Sequence, residues 1–188
     1  MDTKPIFEIL LEDHVYIRRV LELFARELTA FAENRAPDYD VLAEVLDYQR
    51  DYLDTVHHPL EDRIAEHLKR RLPTSAEPLA GLHQAHQDLE RLATKITQGF
   101  IAARADVPAP RGRLCARSKN LIKIYRDHLA WEETHLFPLA QRTLTAADWE
   151  KLVREDEAAP DLSHAQQSRD RFVVWLQGYD DQSAESDR

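Results

Sequence analysis

The chain has 188 residues and a net charge of −9 at neutral pH. This length suffices for one domain with a substantial core, and 43% hydrophobic with 31% charged residues is typical of a globular rather than a disordered protein. The acidic net charge argues against a nucleic-acid binder, since such proteins usually carry a basic face, and no run approaches the ~18 apolar residues of a membrane span. A single cysteine, Cys115, and an N-terminus without a signal-like pattern predict a cytoplasmic protein.

Four long stretches have apolar residues at steps of three and four, which is the spacing of one helix face. Prolines and small polar residues separate these stretches, and no segment alternates as a strand would. Pro37 is well placed as the first residue of the second helix. Short loops between four long helices predict an all-α fold, an up-down-up-down four-helix bundle. The predicted helices cover residues 6–34, 38–71, 76–104 and 113–142.

Two shorter amphipathic segments follow the four helices. Thr145 to Asp148 resembles a capping box that opens a helix over 146–157, and a last helix is predicted over 163–177. Residues 179–188 are polar and acidic, which predicts a frayed tail. The chain is therefore divided into a bundle and a C-terminal helical extension, at residues 1–144 and 145–188.

The extension needs a surface on which to bury its apolar faces. A closed bundle has no vacant core, so these faces either cover its outside or form a symmetric dimer. The protein is therefore expected to be a monomer or a homodimer. In both cases the extension is expected to supply no metal ligand.

Polar residues recur when the second half of the chain is laid on the first. A shift of 71 residues superimposes two His-x-x-x-Glu pairs, and a shift of 72 superimposes two single histidines. The matched residues are His57 and Glu61 with His128 and Glu132, and His14 with His86. Two such hairpins would bring four helices, and these six side chains, to one interior point.

This residue set suits metal ions. Residues four apart lie on the same face of a helix, so each His-x-x-x-Glu pair presents an imidazole and a carboxylate to one region. A carboxylate on an otherwise apolar stripe is costly unless it is paired or bound to metal. Imidazole and carboxylate ligands suit iron, manganese or zinc. Four histidines and two glutamates exceed one tetrahedral zinc site and fit two octahedral ions bridged by carboxylates.

Other histidines compete for a place in this set. His83 is one turn before His86, but only His86 has the spacing that the repeat requires. His58 lies about 100° around the helix from His57, so we expect it outside the ligand set or exposed. His135 could be an additional ligand, although packing is the simpler interpretation. Tyr125 either packs in the core or reaches the edge of the site, and we interpret the remaining histidines as non-ligands: His67 and His164.

Ferritin-like di-iron bundles are a weaker match, because they use two Glu-x-x-His motifs. Glu132-x-x-His135 is the single such motif in this chain. Pro59 and Pro138 fall inside helical patterns, and each is predicted to bend its helix because proline lacks a backbone donor.

Two motifs resemble those of a known family. Residues 57–62, His-His-Pro-Leu-Glu-Asp, resemble H-H-P-x-E-[ED]; residues 128–138 resemble H-x-x-x-E-E-x-x-x-F-P. Both are motifs of the hemerythrin-like HHE cation-binding family, and the resemblance covers about residues 8–142. It implies a four-helix bundle with a non-haem, usually di-iron, oxo- or hydroxo-bridged centre. By motif position it implies the ligands His14, His57, Glu61, His86, His128 and Glu132.

Two positions depart from the oxygen-carrying hemerythrins. Those proteins have two histidines four apart on the third helix, whereas His83 and His86 are three apart. They also have an aspartate five residues after the fourth-helix histidine, where this chain has Glu133. These departures make simple reversible O₂ carriage a poorer match.

The leading functional hypothesis is a protein with two iron ions that binds O₂ or a related small ligand, NO or peroxide. Its role would be sensing, storage or protection against oxidative or nitrosative stress. One alternative is a di-iron enzyme acting on peroxide, NO or Fe(II). Another is a structural or partner-binding bundle that its metal holds together, and manganese or zinc would also suit the ligands.

Overall fold

The computed structural model describes residues 6–75, 79–108, 110–157 and 163–186, and these residues contain helices and no strands. Most of the described chain is α-helical, with two π-helical segments and one short 3₁₀ turn. The α-helices are α1 (Ile6–Ala32), α2 (Tyr39–Tyr48), α3 (His58–Arg71), α4 (Leu82–Arg104), α5 (Arg111–Trp131), α6 (Phe137–Thr143), α7 (Ala146–Glu157) and α8 (Ser163–Ser186). The π-helical segments are Gln49–His57 and Glu132–Leu136.

Each of the four bundle helices corresponds to one of the stretches that apolar spacing predicted to be helical. The first is α1, and the second runs through α2, the first π segment and α3. The third is α4, and the fourth runs through α5, the second π segment and α6. Helix α1 packs on α2 and α5, while α4 packs on α5 and on the second bundle helix. The prediction of an all-α bundle with additional C-terminal helices is confirmed.

A layer of polar residues divides the apolar core into two parts. On α1, His14 lies between Leu10 of one apolar cluster and Ile17 of the other. On α4, His86 lies in the same way between Leu82 and Leu89. The second and fourth bundle helices repeat this arrangement, with apolar residues of different clusters on each side of their polar pairs. All four helices therefore carry polar side chains at one level of the bundle.

Several predicted helix ends were wrong. Helix α2 begins at Tyr39, because the Asp38 carboxylate accepts hydrogen bonds from the backbone N–H groups of Asp40 and Val41. Pro37 therefore precedes the cap instead of starting the helix. Helix α4 begins at Leu82 rather than at residue 76, and residues 76–78 lie outside the described residues.

The predicted frayed tail was also wrong over most of its length, since α8 runs to Ser186. Polar residues do not by themselves end a helix, and no proline follows residue 160 in this chain.

Both π-helical segments end close to a proline. The N–H group of His58, just before Pro59, bonds to the carbonyl of Leu53, five residues back. The N–H of Phe137, just before Pro138, bonds likewise to the carbonyl of Glu132. A wider turn lets the helix continue past a residue that cannot donate. The sequence predicted a bend at each proline but did not predict a π-helical segment.

The C-terminal helices pack against the bundle. Thr145 and Asp148 form the predicted capping box: the Asp148 carboxylate accepts the Thr145 N–H at 2.9 Å, and the Asp148 N–H points back to the Thr145 hydroxyl at 3.4 Å. Asp148 also accepts from the Arg71 guanidinium of α3 at 2.9 Å. On α8, the Phe172 ring stacks on Tyr48 with centroids 4.2 Å apart. Within one chain, the extension thus covers the outside of the bundle.

The part of the chain that the structure describes contains no helix long and apolar enough to cross a membrane.

Candidate metal centre

The polar layer holds all six residues that the sequence singled out. Their side chains come from all four bundle helices and turn inward. Five are 5% exposed or less, and His128 is 9% exposed. The six are His14, His57, Glu61, His86, His128 and Glu132. Burial of this many ionisable groups at one level calls for a compensating partner.

One half of the layer is formed by His14, His57 and Glu61. The Nε2 atoms of His14 and His57 each lie 3.4 Å from the Glu61 Oε1 atom. The two imidazole centroids are 5.3 Å apart. Ligand atoms of these three residues all lie within 4.8 Å of one another, which is compact enough to surround one ion.

The other half is formed by His86, His128 and Glu132. The His128 Nε2 atom is 2.9 Å from Glu132 Oε1, and the His86 Nε2 atom is 3.5 Å from the same oxygen. The two histidine Nε2 atoms are 3.1 Å apart. Glu61 joins this group through its second oxygen, Oε2, which is 3.5 Å from His86 Nε2.

The two glutamates therefore lie between the two histidine pairs. Glu132 also reaches the first half, with Oε2 3.6 Å from the His14 Nε2 atom. Both Oε2 atoms are buried and have no hydrogen-bond partner among the described residues. Burying a carboxylate oxygen without a partner costs free energy, and coordination of a metal ion would provide each of these oxygens with a partner.

The spacing of the donor atoms fits such ions. Neighbouring donors around an octahedral ion with bonds of about 2.1 Å are roughly 3 Å apart. The closest donor-atom contacts in the layer run from 2.9 to 3.6 Å. Imidazole nitrogen and carboxylate oxygen are also suitable donors for iron, manganese and zinc. The residues present fit two ions: Glu61 belongs to both groups of donors, and Glu132 belongs to the second group and approaches His14 of the first.

Three outer carboxylates hold the histidines in the orientation that metal binding needs. The Nδ1 atoms of three rings face carboxylate oxygens: His57 to Asp13 at 3.2 Å, His14 to Glu133 at 2.8 Å, and His86 to Asp62 at 3.0 Å. An ionised carboxylate only accepts, so each Nδ1 carries a proton, and in the neutral form of the ring the Nε2 lone pair is directed inward.

These outer carboxylates are ionised because their pKa values are lowered. Burial raises the pKa of each, but hydrogen bonds outweigh that effect. Asp13 accepts a hydrogen bond from His57. Asp62 accepts from His86 and His83. Glu133 accepts from Arg18 and His14. Arg18 lies 2.5 Å from Glu133. Each outer carboxylate thus remains an acceptor at neutral pH.

Protons compete unequally with metal for the inner residues. Burial and the neighbouring charge of His57 lower the pKa of His14 to about 4, so its ring is neutral at pH 7. Burial and the charge of Glu132 raise the pKa of Glu61 well above its usual value. Burial opposes ionisation of Glu132 too, but its hydrogen bond with His128 keeps its pKa below the usual range. Metal binding would therefore release a proton from Glu61.

His58 is a site residue that sequence reasoning did not assign. It is 3% exposed, and its ring stacks on that of His86 at a centroid distance of 4.4 Å. Ring nitrogens of His58, His86 and His128 lie within 4.8 Å of one another, so His58 could add a further nitrogen donor. The helical angle predicted a position outside the ligand set, either beside it or exposed, and His58 is buried beside it where the π segment meets α3. The adjacent His-His pair was the signal in the sequence.

Buried polar groups extend from His58. Asp54 lies 3.3 Å from the His58 Nδ1 atom and accepts from the Gln49 amide at 2.8 Å. Gln49 in turn accepts from the Tyr125 hydroxyl, which lies 3.5 Å from His58 Nε2. Tyr125 is therefore both a core residue and part of the edge of the site.

The remaining histidines lie away from the cluster. His83 has a side chain 67% exposed and pairs with Asp62 at 2.6 Å, so the structure brings His86 rather than His83 to the centre. His135 is exposed and stacks on Trp131. His67 is buried beside Glu155 of α7 at 3.0 Å, and His164 is exposed on α8.

Replacing Asp54 by asparagine should stabilise the metal-free protein increasingly as the pH rises. Burial, aided by the charge of Glu90, raises the pKa of Asp54 to about 7. When folding raises the pKa of a carboxyl group, the free energy of unfolding of the protein falls as the pH rises from the unfolded pKa of that group, near 4, to its folded pKa. Between pH 5 and pH 8, the advantage of Asp54→Asn in free energy of unfolding should grow by about 2 kcal/mol.

Urea unfolding of chelator-treated protein at both pH values measures this difference. Asp47→Asn, at a more exposed carboxylate paired with Arg50, is the control and should show no such growth. A constant difference between wild type and Asp54→Asn would contradict the prediction.

The fold and the buried histidine–carboxylate layer define a metal-binding four-helix bundle. The model of the hemerythrin HHE cation binding domain matches residues 6–140 of the chain. The chain belongs to this family, as its two motifs indicated. Searches of curated proteins and of solved structures found no match. The matched region ends before α7 and α8, so the C-terminal helices lie outside it.

Proposed function

We propose that the protein binds two iron ions in the polar layer and uses them to bind O₂ or a related small ligand, NO or peroxide. The ligands would be His14, His57 and Glu61 on one side, and His86, His128 and Glu132 on the other. Iron would supply a redox change and coordination positions for such a ligand. The role would be sensing, storage or protection against oxidative or nitrosative stress.

The observation that carries this proposal is the placement of the two glutamates. Each is fully buried, each lies between the two histidine pairs, and each has an oxygen atom without a hydrogen-bond partner among the residues that the structure describes. A single ion would engage one histidine pair and leave the Nε2 atoms of the other pair without a metal ion. Two ions sharing both carboxylates would satisfy every inner donor.

The test is metal analysis of protein reconstituted with Fe(II) without oxygen. We expect two iron ions per chain and an absorption spectrum that changes when air is admitted to the reduced protein. NO and peroxide are then added separately to compare ligands. Fewer than two iron ions per chain would overturn the proposal. Tight retention of zinc or manganese, with no spectral response to air, would support the cation site and reject the iron-dependent function.

A further inference from the structure

Helix α8 contributes one side chain to the surroundings of the candidate metal centre. Arg169 directs its guanidinium inward, and its side chain is 14% exposed. The Nε atom donates to Asp13 Oδ1 at 2.8 Å, and an Nη atom reaches Glu12 at 3.3 Å. Asp13 is the carboxylate that faces the His57 Nδ1 atom. A continuous path thus joins the C-terminal extension to a predicted ligand.

The two oxygens of Asp13 have separate partners. Oδ2 accepts from the Tyr52 hydroxyl at 2.7 Å and from His57 Nδ1 at 3.2 Å. Oδ1 accepts from Arg169. Asp13 is 1% exposed, so this arrangement surrounds a buried carboxylate with the Arg169 guanidinium and two further donors. A buried carboxylate without the Arg169 contact would be free to rotate, and it would then be a poorer acceptor for His57.

We propose that Arg169 is a positioning residue through which the C-terminal helix fixes the orientation and tautomer of His57. The contact holds the Asp13 carboxylate turned toward His57 Nδ1, which keeps His57 Nε2 facing Glu61. The part concerning metal affinity rests on the proposed function. The part concerning the tautomer of His57 holds without metal.

Arg169 lies outside the matched family region, because α8 lies beyond residue 140. It also modifies the expectation for the extension, which was to supply no ligand. Arg169 supplies none, but it contacts the residue that holds one. Groups that hydrogen-bond directly to metal ligands, as Asp13 does to His57, typically change metal affinity by about 10- to 100-fold when removed. Arg169 acts one contact further out, so its removal should cost no more than that.

The experiment compares Arg169→Leu with Arg171→Leu, which changes an exposed arginine two residues away on the same helix. In metal-free protein, ¹⁵N spectra of histidine rings should show His57 protonated at Nδ1 in wild type and in Arg171→Leu. Arg169→Leu should shift His57 toward protonation at Nε2. In anaerobic competition between protein and a chromophoric chelator for Fe(II), Arg169→Leu should bind one of two ions more weakly than wild type, by no more than the about 10- to 100-fold expected for Asp13→Asn.

A double-mutant cycle with Asp13→Asn separates positioning from a general loss of stability. If Arg169 acts through Asp13, the double variant should be no weaker in Fe(II) affinity than Asp13→Asn alone. Additive losses would overturn the proposal. Arg169→Lys, which keeps the charge, should restore part of the affinity. If Arg169→Leu does not fold, the same measurements are made on Arg169→Gln.

The outcomes distinguish the two proposals. Failure of the wild type to bind two Fe(II) ions would reject the proposed function, while the His57 tautomer would still decide the role of Arg169. Two ions in wild type with unchanged affinity and tautomer in Arg169→Leu would reject the positioning role alone.

Discussion

Glu61→Gln should lose two-ion binding and, in the metal-free state, unfold less readily than the wild type. Glu61 is 0% exposed and is shared by the two halves of the site, with Oε1 near His14 and His57 and Oε2 near His86. An amide has one oxygen to offer and no charge, so it cannot join two cations. We expect Fe(II) to fall from two ions per chain to one or none.

The stability of the metal-free variant should change in the opposite direction. Burial and the charge of Glu132 raise the pKa of Glu61, so folding at neutral pH must place a proton or an uncompensated charge there. A glutamine avoids this cost. Because the folded pKa is raised, the benefit appears as pH rises above the unfolded value near 4.5, and should be on the order of 1–3 kcal/mol at pH 7.

Metal analysis and urea unfolding of chelator-treated protein test the two effects separately. Glu66→Gln, at an exposed position of the same helix, is the control and should change neither. A Glu61→Gln protein that retained two ions would exclude the bridging role of this carboxylate.

Phe172→Ala should cost about 3–5 kcal/mol of unfolding free energy, as truncation of a buried aromatic ring does. Phe172 is 1% exposed, belongs to the same apolar cluster as α1 and α5, and stacks on Tyr48. Its removal would leave a cavity between α8 and the second bundle helix. The C-terminal extension would thus be part of the folding unit although it lies outside the matched family region.

Thermal or urea unfolding of Phe172→Ala against Val174→Ala measures this effect. Val174 is 69% exposed on the same helix, so its change should be small. Under conditions where Phe172→Ala remains folded, we expect two Fe(II) ions per chain, because the six predicted ligands lie on the bundle helices. A loss below about 1 kcal/mol would show that α8 contributes little to the core.

The sequence predicted most of the fold because helix periodicity and the bundle core express the same pattern. Apolar residues at steps of three and four mark the buried face directly, and prolines mark the breaks. Helix ends were less accurate where side chains decided them, as at Asp38, whose carboxylate caps α2. The π segments were missed because their wider turns leave no distinct pattern of residue types.

The six proposed ligands could be found from the sequence alone because carboxylates and histidines on apolar stripes are rare, and because they recurred at offsets of 71 and 72 residues. The structure brings all six together. For His58 the sequence predicted a position outside the ligand set, either beside it or exposed, and the structure shows the ring buried beside His86.

The sequence by itself determined the class of fold, the family and the set of residues that could bind metal, since each depends on local spacing along single helices. The tertiary structure decided which groups surround that set. Asp13 contacts Arg169 across a sequence separation of 156 positions, and His14 contacts Glu133 across a separation of 119 positions. No local pattern in the sequence encodes such contacts. These contacts depend on how helices pack, and packing depends on the shape of the whole core.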